Sequence, residues 1–96
     1  MSKLVLNIVT PNGARDPIQC DSIHLTVCDD LSGRGGGSYG IRAGHEKSLL
    51  SLDKGIIKAF LSGQNILTGE NDIGFATVER NTVTVVTEAF GEIQHS

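Results

Sequence analysis

The sequence predicts an all-β protein, a two-sheet β-sandwich or flattened barrel of about eight to ten short strands. Three observations predict it. Apolar residues come in short runs that alternate with polar ones, which is the period of a half-buried strand. No stretch sustains the 3.6-residue apolar period of a long amphipathic helix. Turn signals at Pro11-Asn12-Gly13, Asp53-Lys54-Gly55, Ser62-Gly63 and Arg80-Asn81 punctuate the runs at close spacing. With 96 residues, 39% hydrophobic composition and only 4% aromatic residues, the chain supports one domain with a modest core, spanning 1–96 with its core over about 3–90.

The elements follow in order. Lys3-Leu-Val-Leu-Asn-Ile-Val-Thr10 is rich in β-branched residues and Leu and stops at the Pro-Asn-Gly turn, so it reads as a first strand. Cys20-Asp-Ser-Ile-His-Leu-Thr-Val-Cys28 alternates, with Ile23, Leu25 and Val27 on one face and Ser22, His24 and Thr26 on the other. That phase places Cys20 and Cys28 on the polar face with His24. Residues 29–40 contain Gly33, Gly35, Gly36, Gly37 and Gly40 and are expected to form a loop, continuing through 40–45 as a connection. Ser48-Leu-Leu-Ser-Leu52 and Gly55-Ile-Ile-Lys-Ala-Phe-Leu61 read as strands on either side of the Asp53-Lys54 turn. Ser62-Gly-Gln-Asn65 makes a hairpin turn into a short return strand, Ile66-Leu-Thr68. Gly74-Phe-Ala-Thr-Val-Glu79 and Thr82-Val-Thr-Val-Val-Thr87 form a last hairpin with Val83 and Val85 on one face.

Eight Lys+Arg against 11 Asp+Glu give a net charge of −3, with no basic stretch to neutralise phosphates, which excludes nucleic acid as a partner. No apolar run approaches the roughly 20 residues of a membrane span, and the N-terminus has neither a basic region nor a hydrophobic signal segment. Two cysteines suit a reducing compartment better than a disulfide framework. The expectation is a soluble intracellular chain, reaching a membrane only through another protein.

Candidate chemistry is sparse. Cys20, His24 and Cys28 offer zinc-type ligands every four residues. On a strand, however, positions four apart lie roughly 13 Å apart, while ligands must converge within about 2.3 Å of one ion. A Cys20–Cys28 disulfide fails on the same span. Residues 35–40 match G-x-G-x-x-G, yet no amphipathic helix, no acidic residue about 20 positions on and no Gly-Lys-Ser/Thr ending accompanies them, so no dinucleotide is expected. Glu70, Asn71 and Asp72 have the oxygen chemistry of a hard-cation site, but three consecutive polar residues read first as a solvated turn. The histidines are His24, His45 and His95; His45 stands in a connection before Glu46-Lys47 and reads as exposed or interfacial. No catalytic residue, metal ligand or cofactor-binding residue is expected.

The ordered series Leu4-Val-Leu-Asn-Ile-Val-Thr-Pro11, Asp21-Ser-Ile-His-Leu-Thr-Val27, Gly40-Ile-Arg-Ala-Gly-His45 with Leu49-Leu50, Lys54-Gly-Ile-Ile57, Gly74-Phe-Ala-Thr-Val78 and Asn81-Thr-Val-Thr-Val85 resembles the N-terminal β-sandwich domain of the epsilon subunit of F-type rotary ATP synthases. The resemblance covers about residues 4–90. The glycine-rich stretch before Gly40, Glu46-Lys47 where the family has Ala-Pro, and Asp72-Ile73-Gly74 where it has Ser-Gly-Gly are departures that a divergent branch would show.

The resemblance implies a non-catalytic rotor subunit of the central stalk. It would link the gamma subunit to the membrane c-ring in ion-driven ATP synthesis and hydrolysis, as a peripheral subunit on the cytoplasmic face of the inner or plasma membrane. By position, Ser38, Tyr39 and Gly40 match the family's ring-facing loop. Ile41, Arg42 and His45 match the neighbourhood shared with gamma. The family commonly adds a C-terminal helical hairpin that brakes hydrolysis and sometimes binds ATP; these 96 residues are expected to carry neither the hairpin nor bound ATP. Two other readings remain on the residues alone: a β-sandwich adaptor for an unrelated partner, and a small-ligand domain using the 33–40 loop with His45.

Overall fold

The computed structural model of the chain describes residues 4–28 and 37–93. They contain eleven strands: β1 (Leu4–Thr10), β2 (Gly13–Ala14), β3 (Ile18–Cys20), β4 (Ser22–Val27), β5 (Gly37–Arg42), β6 (Ser48–Leu52), β7 (Gly55–Leu61), β8 (Gln64–Asn71), β9 (Gly74–Glu79), β10 (Thr82–Thr87) and β11 (Phe90–Glu92). The all-β expectation holds, and the strands beyond those expected are β5 and the short pieces β2, β3 and β11.

One hydrogen-bonded path runs β11-β8-β7-β4-β6-β9-β10-β1-β2, with β3 added to β1 and β5 to β4. The path folds over at β4. That strand pairs with β7 through residues 22–24 but meets β6 only at Val27↔Leu52. Two leaves result: β5-β4-β7-β8-β11, and β6-β9-β10-β1 with β2 and β3 on the outer edge of β1. All pairings are antiparallel except β1 with β10, where Leu6↔Val83 and Ile8↔Val85 lie side by side in parallel register. The alternation read from the sequence decides which side chains face inward. Leu4, Leu6, Ile8, Val83 and Val85 of one leaf meet Ile23, Leu25, Ile41 and Ile57 of the other in a single core. The core is aliphatic, and the aromatics that touch it, Tyr39 and Phe90, are only half-buried.

Two details fix the closure. Between β6 and β7 the chain crosses β4 so closely that a Cβ on Gly55 would stand 2.3 Å from Thr26 Oγ1. Asp53 N donates to Thr26 O at 3.1 Å and Ile56 N to Thr26 Oγ1 at 3.3 Å. At the other edge Arg15 joins the leaves, its Nη2 2.6 Å from Glu92 Oε1 and its guanidinium carbon 5.3 Å from the Phe90 ring centroid.

Four expectations need correction. Of the loop expected over 29–40, residues 37–40 are strand, because six residues of β5 pair with β4 and bury Ile41 opposite Ile23. Ladder pairing and burial outweigh the poor strand propensity of the glycines; residues 29–36 lie outside the described part. Cys20 is not on the polar face, because a bend at Asp21 separates β3 from β4, shifts the phase and leaves Cys20 0% exposed. The return strand is longer than expected. A bulge in β8, opposite the Ala59–Phe60 step of β7, sets Ala59 against Leu67 and Phe60 against Asn65, and the extra residue Ile66 is turned outward. Asn71 is not in a solvated turn: it is 2% exposed at the end of β8, and its Nδ2 donates to Asp53 O at 3.0 Å and Asp72 O at 2.7 Å.

Candidate functional site

The six residues singled out by position fall in β5 and the turn after it. Strand alternation divides them. Ser38, Gly40 and Arg42 face outward and are exposed, Tyr39 is half-buried opposite Leu25, and Ile41 belongs to the core. His45 folds back beneath Tyr39, with Nε2 2.8 Å from Tyr39 Oη and the two rings edge-on at 71°. His45 Nδ1 lies 2.7 Å from Glu46 O. A carbonyl can only accept, so Nδ1 carries the proton, and in the neutral ring Nε2 accepts from the Tyr39 hydroxyl. The turn is pinned from two further sides: His45 N donates to Arg42 O at 3.2 Å, and Gly44 N to Asn81 Oδ1 at 2.8 Å. Gly44 has φ +85°, a backbone that favours glycine. These contacts make a shaped, hydrogen-bonded corner rather than a catalytic constellation.

The remaining chemical candidates are not brought together. Cys20 lies in the core, while His24 stands exposed on the outer face of β4 and Cys28 is exposed beyond its end. Burial, with a smaller contribution from the Asp21 carboxylate, pushes the Cys20 thiol up from 9.0 to about 11, so it is a protonated core residue at neutral pH. The second half of the G-x-G-x-x-G match runs in β5, and Gly35, Gly36 and His95 lie outside the described residues.

One surface escaped the sequence reading. The outward side of the second leaf sets Phe75, Val86 and Val9 in one cross-strand row, with Leu49 on the neighbouring strand opposite Thr77. Leu49 is 72% exposed, Ile73 57% and Phe75 42%, and Lys47 and Glu79 pair at 3.5 Å at one end. The signal was present in the sequence: Phe75 is out of phase with the core positions Ala76 and Val78 of the same strand.

No protein-family model and no curated protein matches the sequence. Solved structures do match the fold. A chain in the cryo-EM structure of the Euglena gracilis mitochondrial ATP synthase (OSCP/F1/c-ring, rotational state 1) aligns with a TM-score of 0.79 at 19% identity, over 96% of this chain and 54% of that one. A chain in the central stalk/c-ring structure of the Tetrahymena thermophila mitochondrial ATP synthase aligns with a TM-score of 0.70 at 17% identity, over 93% of this chain and 66% of that one. The present chain thus spans between half and two thirds of the length of the chains it matches, and it shares their fold across nearly all of its own residues.

Proposed function

We propose that this chain is a non-catalytic rotor element of an F-type ATP synthase, a stiff β-sandwich seated between the gamma subunit and the membrane c-ring. The observation that carries the reading is the fold shared, nearly end to end, with chains of two mitochondrial ATP synthase assemblies. The ordered motif series from Leu4 to Val85 supports the same family independently of the coordinates.

The physics suits the task. A part that transmits torque needs a body that does not shear and at least two contact surfaces. Here the two leaves share one core, and the edges are tied through Thr26 and Gly55 on one side and through Arg15, Phe90 and Glu92 on the other. The exposed apolar residues Leu49, Ile73 and Phe75 form the kind of surface that marks a protein contact on a small chain, and we assign it to the gamma subunit. At the β5 corner, Ser38, Gly40 and Arg42 offer themselves to partners, while Tyr39 and His45 hold the corner in shape. The chain is then a peripheral component at the membrane, held there by its partner subunits, with turnover residing elsewhere in the complex.

The test is co-purification. The tagged chain, drawn from gently extracted membranes of its native source, is expected to bring down gamma, alpha, beta and c-ring subunits in fixed ratio. Recovery of a folded tagged chain with none of these would refute the rotor assignment and leave an adaptor for another partner.

A further inference from the structure

The outer face of the first leaf carries a cationic patch with a defined geometry. There β5, β4 and β7 lie side by side, and their registers set the outward residues in two adjacent rows, Arg42-Ser22-Phe60 and Gly40-His24-Lys58. Arg42, His24 and Lys58 are exposed. Among the described residues Arg42 and Lys58, like exposed Lys54 and Arg80, have no ion pair, whereas Arg15 and Lys47 are matched by Glu92 and Glu79. The His24 ring leans on Phe60, centroids 5.2 Å apart at 53°. Its other flank is open because Gly40 has no side chain; even a Cβ there would stand 3.9 Å from the ring. Asp21, Ser22, His24, Arg42, Phe60 and Gly63 line a shallow cleft of about 370 Å³, and Lys58 stands beside it, next to His24 in the strand register. Arg42 and Lys58 thus flank an imidazole and an aromatic ring, with the Asp21 carboxylate in the cleft and exposed Glu70 on the neighbouring strand β8.

We infer that this face binds an extended, carboxylate-bearing segment of a partner protein, whose acid is held among Arg42, His24 and Lys58 while its backbone pairs with the open edge of β5. The guanidinium fork matches a carboxylate with two parallel hydrogen bonds, and the imidazole N–H and lysine ammonium add donors to the same oxygens. Phe60 and the His24 ring supply an apolar floor for the segment's backbone and methylenes. Among the described residues β5 pairs only with β4, so its other edge presents unpaired backbone groups to an added strand. Gly40 is what lets a side chain entering from that edge reach past β5 to His24. Asp21 selects among anions: its Oδ2 accepts from Ser62 N at 2.7 Å, and its charge at the end of the cleft opposes a dianionic phosphate more than a single carboxylate. The inference goes beyond the rotor reading and is measured on the isolated chain, so either can fail without the other.

Heteronuclear NMR titration of the 96-residue chain with a synthetic peptide of alternating Glu and Thr residues tests it, with the Gln/Thr peptide and inorganic phosphate run in parallel. The Glu peptide is expected to shift the amides of β4, β5 and β7, with clearly weaker binding by both controls. Arg42→Ala removes an exposed, unpaired side chain; it should leave the thermal midpoint unchanged and lower affinity for the Glu peptide roughly tenfold or more. Arg42→Glu combined with Lys58→Glu should transfer the preference to a Lys/Thr peptide. Equal binding of the Glu and Gln peptides, shifts on other strands, phosphate binding as tight as the peptide, or unchanged affinity in Arg42→Ala would each overturn the inference.

Discussion

At the scale of single residues, the two cysteines show how position sets chemistry. Cys20, raised to about 11, keeps its proton in the folded state through a pH range in which the unfolded chain, at 9.0, has lost it. Folding therefore binds a proton between those values. The contribution of Cys20 is intact below pH 9.0 and is lost as the pH climbs toward 11. Comparing unfolding free energies of the wild type and Cys20→Val across that range should show a steeper alkaline fall in the wild type. A thiol reagent at neutral pH should modify exposed Cys28 in the folded protein and reach Cys20 only on unfolding. Two truncations separate core from corner. Val85→Ala removes methyls from a fully buried site and should cost roughly 1–3 kcal/mol by denaturant unfolding. Tyr39→Phe keeps the ring and deletes only the hydroxyl bonded to His45, for about 1 kcal/mol. At this scale the sequence revealed the core phase of Ile23, Leu25, Val83 and Val85. It hid Cys20 and Asn71, whose burial depends on a bend at Asp21 and on the carbonyl of Asp53, distant in the chain.

At the scale of elements, the crossing of β4 by the β6–β7 segment is the most demanding contact. Gly55→Ala sets a methyl against Thr26 and should cost roughly 1–3 kcal/mol as overpacking. A Cβ on Gly55 would also stand 2.5 Å from the Thr26 Cβ, so only Thr26→Gly removes the obstacle; the Gly55→Ala/Thr26→Gly double variant should be more stable than the sum of the single losses, measurable as a coupling energy by denaturant unfolding. Gly74 gives the contrasting case, because a Cβ there would stand 2.0 Å from Val86 O, a backbone atom that no side-chain substitution removes. The long strands were legible because alternation and turn residues agreed over β1, β4, β7, β9 and β10. β5 was obscured by glycines, which carry no alternation signal, although Tyr39 and Ile41 do share its inner face. The short strands β2, β3 and β11 have two or three residues each and exist through their ladder partners, so no local pattern could announce them.

At the scale of the whole molecule, the sandwich carries exposed apolar residues on the outer face of one leaf and the cations Arg42 and Lys58 beside His24 on the outer face of the other. That asymmetry emerged only after folding, since Leu49, Ile73 and Phe75 are separated in sequence, as are Arg42, His24 and Lys58. The motif order, in contrast, was legible throughout and pointed to the fold that the solved assemblies share. If the apolar face seats the gamma subunit, Leu49→Asp should weaken that association at least tenfold while leaving the melting temperature within a few degrees, because a 72%-exposed side chain carries little of the core. The most direct test of the central claim is an equilibrium binding measurement between the purified chain and its cognate gamma subunit. The account predicts a saturable one-to-one complex that Leu49→Asp disrupts; a folded chain that gives no complex with gamma at any accessible concentration would contradict it.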